Sequence, residues 1–147
     1  MPTSSEAGTD IAVAAGAVFA CGQTHTSSTQ YDATILRLDA TGTVVWQRDY
    51  PVSGTASEYL RALDLRGSRI VATGQVSPGV GGTDALAVSY TIDGSLEWAQ
   101  TFNGPGSGSD YGADVKLDAA GNAVVCGTGS GSGSLDLMTL KYNSTGT

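Results

Sequence analysis

Two sets of acidic residues recur along the chain at a fixed spacing and are the strongest candidates for chemistry. Each set has three members 52 residues apart: Asp32, Asp84 and Asp136 in the first, and Glu6, Glu58 and Asp110 in the second. Carboxylates that converge from several segments can hold Ca²⁺. However, an Asp at the start of a strand commonly accepts hydrogen bonds from loop amides instead. We therefore expect structural roles for the first set and keep the second as weak candidates for binding a metal or a polar ligand.

Other residues suited to nucleophilic or metal chemistry are few. His25 is the single histidine, and its Ser and Thr neighbours predict an exposed loop rather than a catalytic triad or a zinc site. Cys21 and Cys126 occupy equivalent positions of non-adjacent repeat units, farther apart than the ~7 Å between Cα atoms that a disulfide can span. We expect both to be buried free thiols. The sequence predicts no catalytic residue and no cofactor.

Two further motifs are explained by loops and turns. Residues 127–134 alternate Gly with Ser or Thr, but they lack the spacing of a phosphate-binding loop or of a hydrolase nucleophile elbow. Asn143-Ser144-Thr145 matches a glycosylation sequon, yet it coincides with a predicted turn. Neither motif predicts an activity.

The same spacing relates many other residue types, so the chain contains an internal repeat. The repeated positions include turn glycines, tryptophans and a second glycine series: Gly42, Gly94 and Gly146; Trp46 and Trp98; and Gly22, Gly74 and Gly127. The last step of the second glycine series is one residue longer, and the extra residue falls in the predicted turn at 118–122. Structural roles are expected at all these positions.

Each unit is predicted to form four short strands. The first strand alternates apolar and other residues, as at Ile11 and Val13. The second strand is apolar on both faces, as in 70–73, which indicates that both faces are covered. The third strand starts at the repeated Asp, and the fourth carries the repeated Trp. No sustained helical period is present, so the sequence predicts an all-β protein.

Tandem four-stranded units that are apolar on both faces are typical of β-propeller blades, with a stack of open sandwiches as the competing arrangement. We expect one domain over 1–147, with blades at about 6–57, 58–109 and 110–147, the last without its outer strand. Propellers typically have ~4–8 blades. Either a longer parent chain or head-to-tail association of copies would complete the ring, most simply two copies giving six blades.

The motifs of the third unit point to a family. They are Trp98 in the preceding strand, the strand start at 110–112, the turn at 118–122 and the segment 125–127. This succession resembles the bacterial β-propeller repeats of the SBBP type. The resemblance covers almost the whole chain and is weakest in the first unit, where 14–16 replace the Asp-containing turn. It implies a secreted or cell-surface bacterial parent and says almost nothing about activity.

The amino-acid composition indicates which classes of binding partner are not expected. The 147 residues carry a net charge of −7, and only 14% are charged, whereas 40% are hydrophobic. Nucleic acids and anionic membrane surfaces attract clustered Lys and Arg, so neither is expected as a partner. No apolar run approaches the ~18 residues of a membrane span, and the first residues do not form an export signal.

The leading hypothesis is a non-catalytic propeller module that acts as a scaffold or binds a glycan or protein through its loops. The loops between the second and third strands, 22–31, 74–83 and 127–135, are variable and suit a binding surface. Trp46 and Trp98 are expected to pack between blades, with sugar stacking as the alternative. Two other hypotheses remain: a fragment of a carbohydrate-active or quinone-dependent propeller enzyme, and an engineered or excised self-assembling propeller.

Overall fold

The computed structural model describes residues 6–27, 30–50, 57–77, 81–106, 108–131 and 134–147. These ranges form eleven β-strands and contain no helix that is long and apolar enough to cross a membrane. In chain order the strands are β1 (Ala7–Ala14), β2 (Ala17–Ser27), β3 (Gln30–Leu38), β4 (Val44–Tyr50), β5 (Ser57–Arg66), β6 (Arg69–Ser77), β7 (Asp84–Thr91), β8 (Leu96–Phe102), β9 (Tyr111–Leu117), β10 (Ala123–Ser130) and β11 (Leu135–Tyr142).

The strands form three antiparallel sheets, one from each repeat unit. Sheet 1 has the order β1-β2-β3-β4, sheet 2 has β5-β6-β7-β8, and sheet 3 has β9-β10-β11. Every neighbouring pair is antiparallel and sequential, so each sheet is a simple meander. The all-β prediction is confirmed, and so is the lack of a fourth strand in the last sheet within the described residues.

Two glycine series of the repeat have separate structural causes. Gly42, Gly94 and Gly146 adopt φ angles of 84°, 87° and 84° in the turns that follow β3, β7 and β11, a region that other residues rarely enter. The series at Gly22, Gly74 and Gly127 instead permits a close approach of strands. A Cβ placed on Gly74 would overlap the carbonyl oxygen of Tyr59 on the preceding strand. A side chain at this position would therefore disrupt the pairing of β5 with β6.

The three sheets pack face against face, with sheet 2 in the middle. One hydrophobic cluster joins sheets 1 and 2, and it includes Phe19, Ile35, Leu63 and Val88. A second cluster lies on the opposite face of sheet 2 and joins it to sheet 3, through residues such as Val71. Sheet 2 thus buries both faces, as its uninterrupted apolar strands require.

Polar contacts also link the sheets at both junctions, although from different positions of the repeat. The Asp10 carboxylate on β1 accepts a hydrogen bond from the Leu63 backbone N–H of β5 at 2.9 Å, and Asp64 on β5 accepts one from Leu117 of β9 at 2.7 Å. The Trp46 indole N–H donates to the Ile92 carbonyl oxygen of sheet 2 at 3.1 Å. β1 is thereby linked to β5, and β5 is linked to β9.

Candidate functional site: the two open sheet faces

The predicted acidic ligand set does not converge on one site. Glu6 is exposed, whereas Glu58 and Asp110 are fully buried. The Asp110 carboxylate accepts hydrogen bonds from the backbone N–H groups of Ser130 (2.6 Å) and Gly104 (3.0 Å). Among the described residues, no group of three or more His, Cys, Asp or Glu side chains could hold a metal ion. The Asp110 carboxylate therefore holds the backbone at Gly104 and at Ser130 in place.

The other repeated carboxylates lie in different environments. Asp84, at the start of β7, has its pKa raised by burial and by the nearby negative charge of Asp110. Asp136 is exposed at the start of β11, where the Ser134 hydroxyl lies 3.4 Å from it. Asp32 is half-buried within β3 and pairs in register with Thr24 of β2. The three residues share a place in the repeat but not a common pocket.

His25 and the cysteines differ from the sequence expectation in part. His25 lies within β2, half-buried beside Tyr31 at 5.0 Å between ring centroids, because β2 continues to Ser27 rather than ending in a loop. Cys21 is buried, and burial raises the pKa of its thiol to about 11. Cys126 is exposed, because the face of sheet 3 that carries it is uncovered. Residues 28–29, 78–80 and 132–133 of the predicted loops lie outside the described residues.

The face of sheet 1 that points away from sheet 2, here named the head face, exposes large apolar side chains on β1. Ile11 is 64% exposed, although its repeat equivalents Leu63 and Val115 are 3% and 1% exposed. Val13 beside it is 71% exposed. Leu63 and Val115 are buried because a preceding sheet covers them, whereas no sheet formed by the described residues covers Ile11.

The upper part of the head face, toward the loops that follow β2, is polar. Thr34 donates a hydrogen bond to the Asp49 carboxylate at 2.7 Å, and the Gln47 amide donates to the same oxygen at 3.0 Å. Thr34 and Gln47 border a groove of about 200 Å³. The equivalents of Thr34 and Gln47 in sheet 2 are Leu86 and Ala99, which pack against sheet 1.

The face of sheet 3 that points away from sheet 2, here named the tail face, carries the most exposed large apolar side chain of the described residues. Leu137 is 87% exposed, whereas its equivalents Ala33 and Ala85 are 1% and 3% exposed. Cys126 lies on the same face, and Leu135 nearby is 64% exposed. Sequence analysis did not single out Leu137, but the replacement of Ala by Leu at a repeated position was a detectable signal.

Trp46 and Trp98, the alternative candidates for sugar stacking, are each 8% exposed. Trp46 packs on the turn at Gly94, and Trp98 lies 5.6 Å from the Tyr142 ring of sheet 3, between ring centroids. Their faces are occupied by protein. Among the residues that the structure describes, the most exposed large apolar side chains therefore lie on the head and tail faces rather than at the two tryptophans. Compared with models of known protein families and with curated proteins, the sequence gives no significant match.

Proposed function

We propose that the chain is a non-catalytic β-propeller module, a scaffold whose head and tail faces are covered by further sheets of the same repeat. In a solution of this chain, other copies supply these sheets head to tail, and two copies form a ring of six blades. One observation carries the proposal: the side chains equivalent to Ile11 are buried wherever a neighbouring sheet of the repeat is present. Burial of each such apolar side chain contributes about 1.5–3 kcal/mol.

The sizes of facing residues support a copy of this chain as the occupant. Within the two core clusters, the small tail-side residues Ala33 and Ala85 accompany the large head-side residues Leu86 and Met138, respectively. The open faces reverse this arrangement, because the tail side has Leu137 and the head side has Thr34 at the equivalent positions. A large residue would again meet a smaller one when the tail face of one copy packs on the head face of the next.

The first test is the mass in solution. We expect light scattering to give a mass near twice 14.8 kDa. Val13→Glu and Leu137→Glu each place a charge on one open face and should convert the chain to a monomer. Leu96→Glu is the matched control, because Leu96 is 50% exposed on sheet 2, which lies between the other two sheets. A monomeric parent chain, or dissociation by the control to the same extent, would contradict the proposal.

A cross-link tests the register of the junction. In sheet 2, Thr73 faces Gly112 of sheet 3, and a Cβ built on Gly112 would lie 3.0 Å from the Thr73 Cβ. At the junction between copies, Cys126 is the equivalent of Thr73 and Gly8 is the equivalent of Gly112. A Cβ built on Gly8 would meet no atom within 4 Å. Since disulfides need ~3.5–4.5 Å between Cβ atoms, Gly8→Cys should form a disulfide with Cys126 of another copy after a small adjustment.

The cross-linking experiment has an internal control. Oxidised Gly8→Cys protein should run as a covalent oligomer on a non-reducing gel, and the double variant with Cys126→Ser should not. Equal cross-linking by the double variant would indicate that the thiols introduced by Gly8→Cys in two copies contact each other, and it would refute the head-to-tail register.

A further inference from the structure

The outer edge of β11 lacks the pairing that its equivalents have. In sheet 1 the corresponding edge of β3 is covered by β4, and in sheet 2 the edge of β7 is covered by β8. Within the described residues, β11 pairs with β10 alone. Its backbone therefore presents a row of hydrogen-bonding groups along one side, which is a template for an added strand.

The side chains of β11 are mostly apolar, with the polar residues Asp136, Thr139 and Lys141 among them. A groove of about 270 Å³ borders it, lined by residues that include Phe102, Pro105, Met138 and Leu140. Leu137 also borders this groove and is 87% exposed. The outer strand β4 of sheet 1 is more polar, with polar and charged residues at 47–49. What distinguishes β11 from β4 and β8 is its place in the repeat, because its equivalents β3 and β7 each pair with a fourth strand along this edge.

The register of the complete sheets specifies what would fit. Tyr50 pairs with Ala33 in sheet 1, and Phe102 pairs with Ala85 in sheet 2. The repeat equivalent of these alanines is Leu137, so an aromatic ring would lie on it. Trp46 and Trp98 likewise pair with Arg37 and Ser89. Their equivalent is Lys141, whose ammonium group can lie against an indole ring.

We propose that β11 binds, by antiparallel strand addition, an extended segment with Trp and, four residues later, Tyr or Phe. Main-chain hydrogen bonds would supply affinity, and the paired aromatic residues would supply register and selectivity. The inference concerns the edge of sheet 3, whereas the proposed function concerns the faces of sheets 1 and 3, so each can fail alone.

A synthetic peptide with the sequence of residues 94–104 tests the proposal. The target is the full chain carrying Val13→Glu, so that association between copies does not compete, with circular dichroism to verify folding. We expect saturable binding by fluorescence anisotropy. A peptide with Ala99→Pro loses a backbone donor, and one with Trp98→Ser and Phe102→Ser loses the aromatic pair. Each should bind at least about tenfold more weakly, which corresponds to ~1.4 kcal/mol.

Hydrogen exchange locates the bound strand. The peptide should slow amide exchange in β11 and leave β4 and β8 unchanged. Absence of saturable binding, equal binding by the proline peptide, or protection of β4 or β8 instead of β11 would each overturn the proposal.

Discussion

Several acidic residues in this protein accept hydrogen bonds from backbone N–H groups. Asp110 binds the N–H groups of Gly104 and Ser130, and Asp10 and Asp64 each bind one N–H of the next sheet. A buried N–H that loses its acceptor costs about 1–3 kcal/mol. The carboxylates at these positions are thus important to stability, whereas the repeat spacing had made Asp110 only a weak candidate for binding a metal or a polar ligand.

Asp110→Asn tests this role at the buried position. An amide oxygen replaces only one of the two accepting oxygens, so the variant leaves Gly104 or Ser130 without its acceptor. We expect the free energy of unfolding in urea to fall by about 1–3 kcal/mol. Asp136→Asn is the matched control, because Asp136 is exposed and its one nearby hydroxyl is 3.4 Å away. Equal losses in the two variants would contradict the assigned role.

The turn glycines allow backbone strain and steric contact to be separated. Gly42 and Gly94 have nearly the same φ, but a Cβ on Gly94 would lie 3.0 Å from the Trp46 ring, whereas a Cβ on Gly42 would meet nothing within 4 Å. Gly42→Ala should lower the free energy of unfolding by about 1 kcal/mol, because alanine is strained at a positive φ. Gly94→Ala should lower the free energy of unfolding by about 1–3 kcal/mol more than Gly42→Ala does, because the added methyl group displaces the Trp46 ring. Equal losses in urea unfolding would show that the packing on Trp46 contributes nothing.

Asp84 has the opposite effect on stability from the other carboxylates. Because burial and the charge of Asp110 raise its pKa above 3.8, the folded state binds the proton more tightly than the unfolded state. Stability is therefore lost as the pH rises through the window between 3.8 and the raised value. Asp84→Asn should stabilise the protein at pH 7 and lose this advantage below about pH 4. A constant difference between the two proteins in urea unfolding from pH 3 to 7 would contradict the shift.

Among the elements, the turn between β9 and β10 is held by a single carboxylate. The Asn122 side-chain amide, the backbone N–H groups of Asn122 and Ala120, and Lys141 all contact Asp118. These contacts, above all those of Asn122, lower the pKa of Asp118 below 3.8. The stabilisation is present above that value and is lost as the pH falls through the lower folded-state pKa.

Asp118→Asn should therefore make the free energy of unfolding depend less on pH in the acidic range. An amide can form the same type of turn, since the Asn143 oxygen accepts the N–H groups of Thr145 (2.9 Å) and Thr147 (3.0 Å) after β11. The variant should be less stable than the parent chain at pH 6, and the difference should shrink between pH 4 and pH 2. Thermal unfolding across this range measures the slope. Parallel curves for the two proteins would show that Asp118 does not titrate with folding.

Strands and their order were predictable from sequence, because apolar alternation and turn glycines are local signals. The end of β2 was not, since the polar residues around His25 suit a loop as well as an edge of a sheet. The open faces were only partly predictable. Exposure of Leu137 and Cys126 depends on which sheets are present beside them, and apolar residues in a repeat give no indication of whether their neighbour exists.

At the scale of the whole molecule, stability is distributed unequally over the three sheets. Sheet 2 is covered on both faces, and almost every residue of β7 is buried. Sheets 1 and 3 each have one open face. Amide groups in a doubly covered sheet open only with the largest structural fluctuations, whereas those beside an open face exchange through smaller ones. The order in which the sheets are protected from amide hydrogen exchange thus depends on whether a sheet is covered on one face or on both.

Amide hydrogen exchange at two protein concentrations tests both this order and the association of copies. In dilute solution, β6 and β7 should exchange slowest. At high concentration, a partner that binds only the folded chain raises its apparent stability. The added protection should therefore be greatest in β1 and β2 of the head face and in β10 and β11 of the tail face, and smaller in β6 and β7. Val13→Glu, which disables the head face, should remove the concentration dependence and keep the order. Protection that rises equally in all three sheets, or persists in the variant, would show that copies associate through surfaces other than the two open faces.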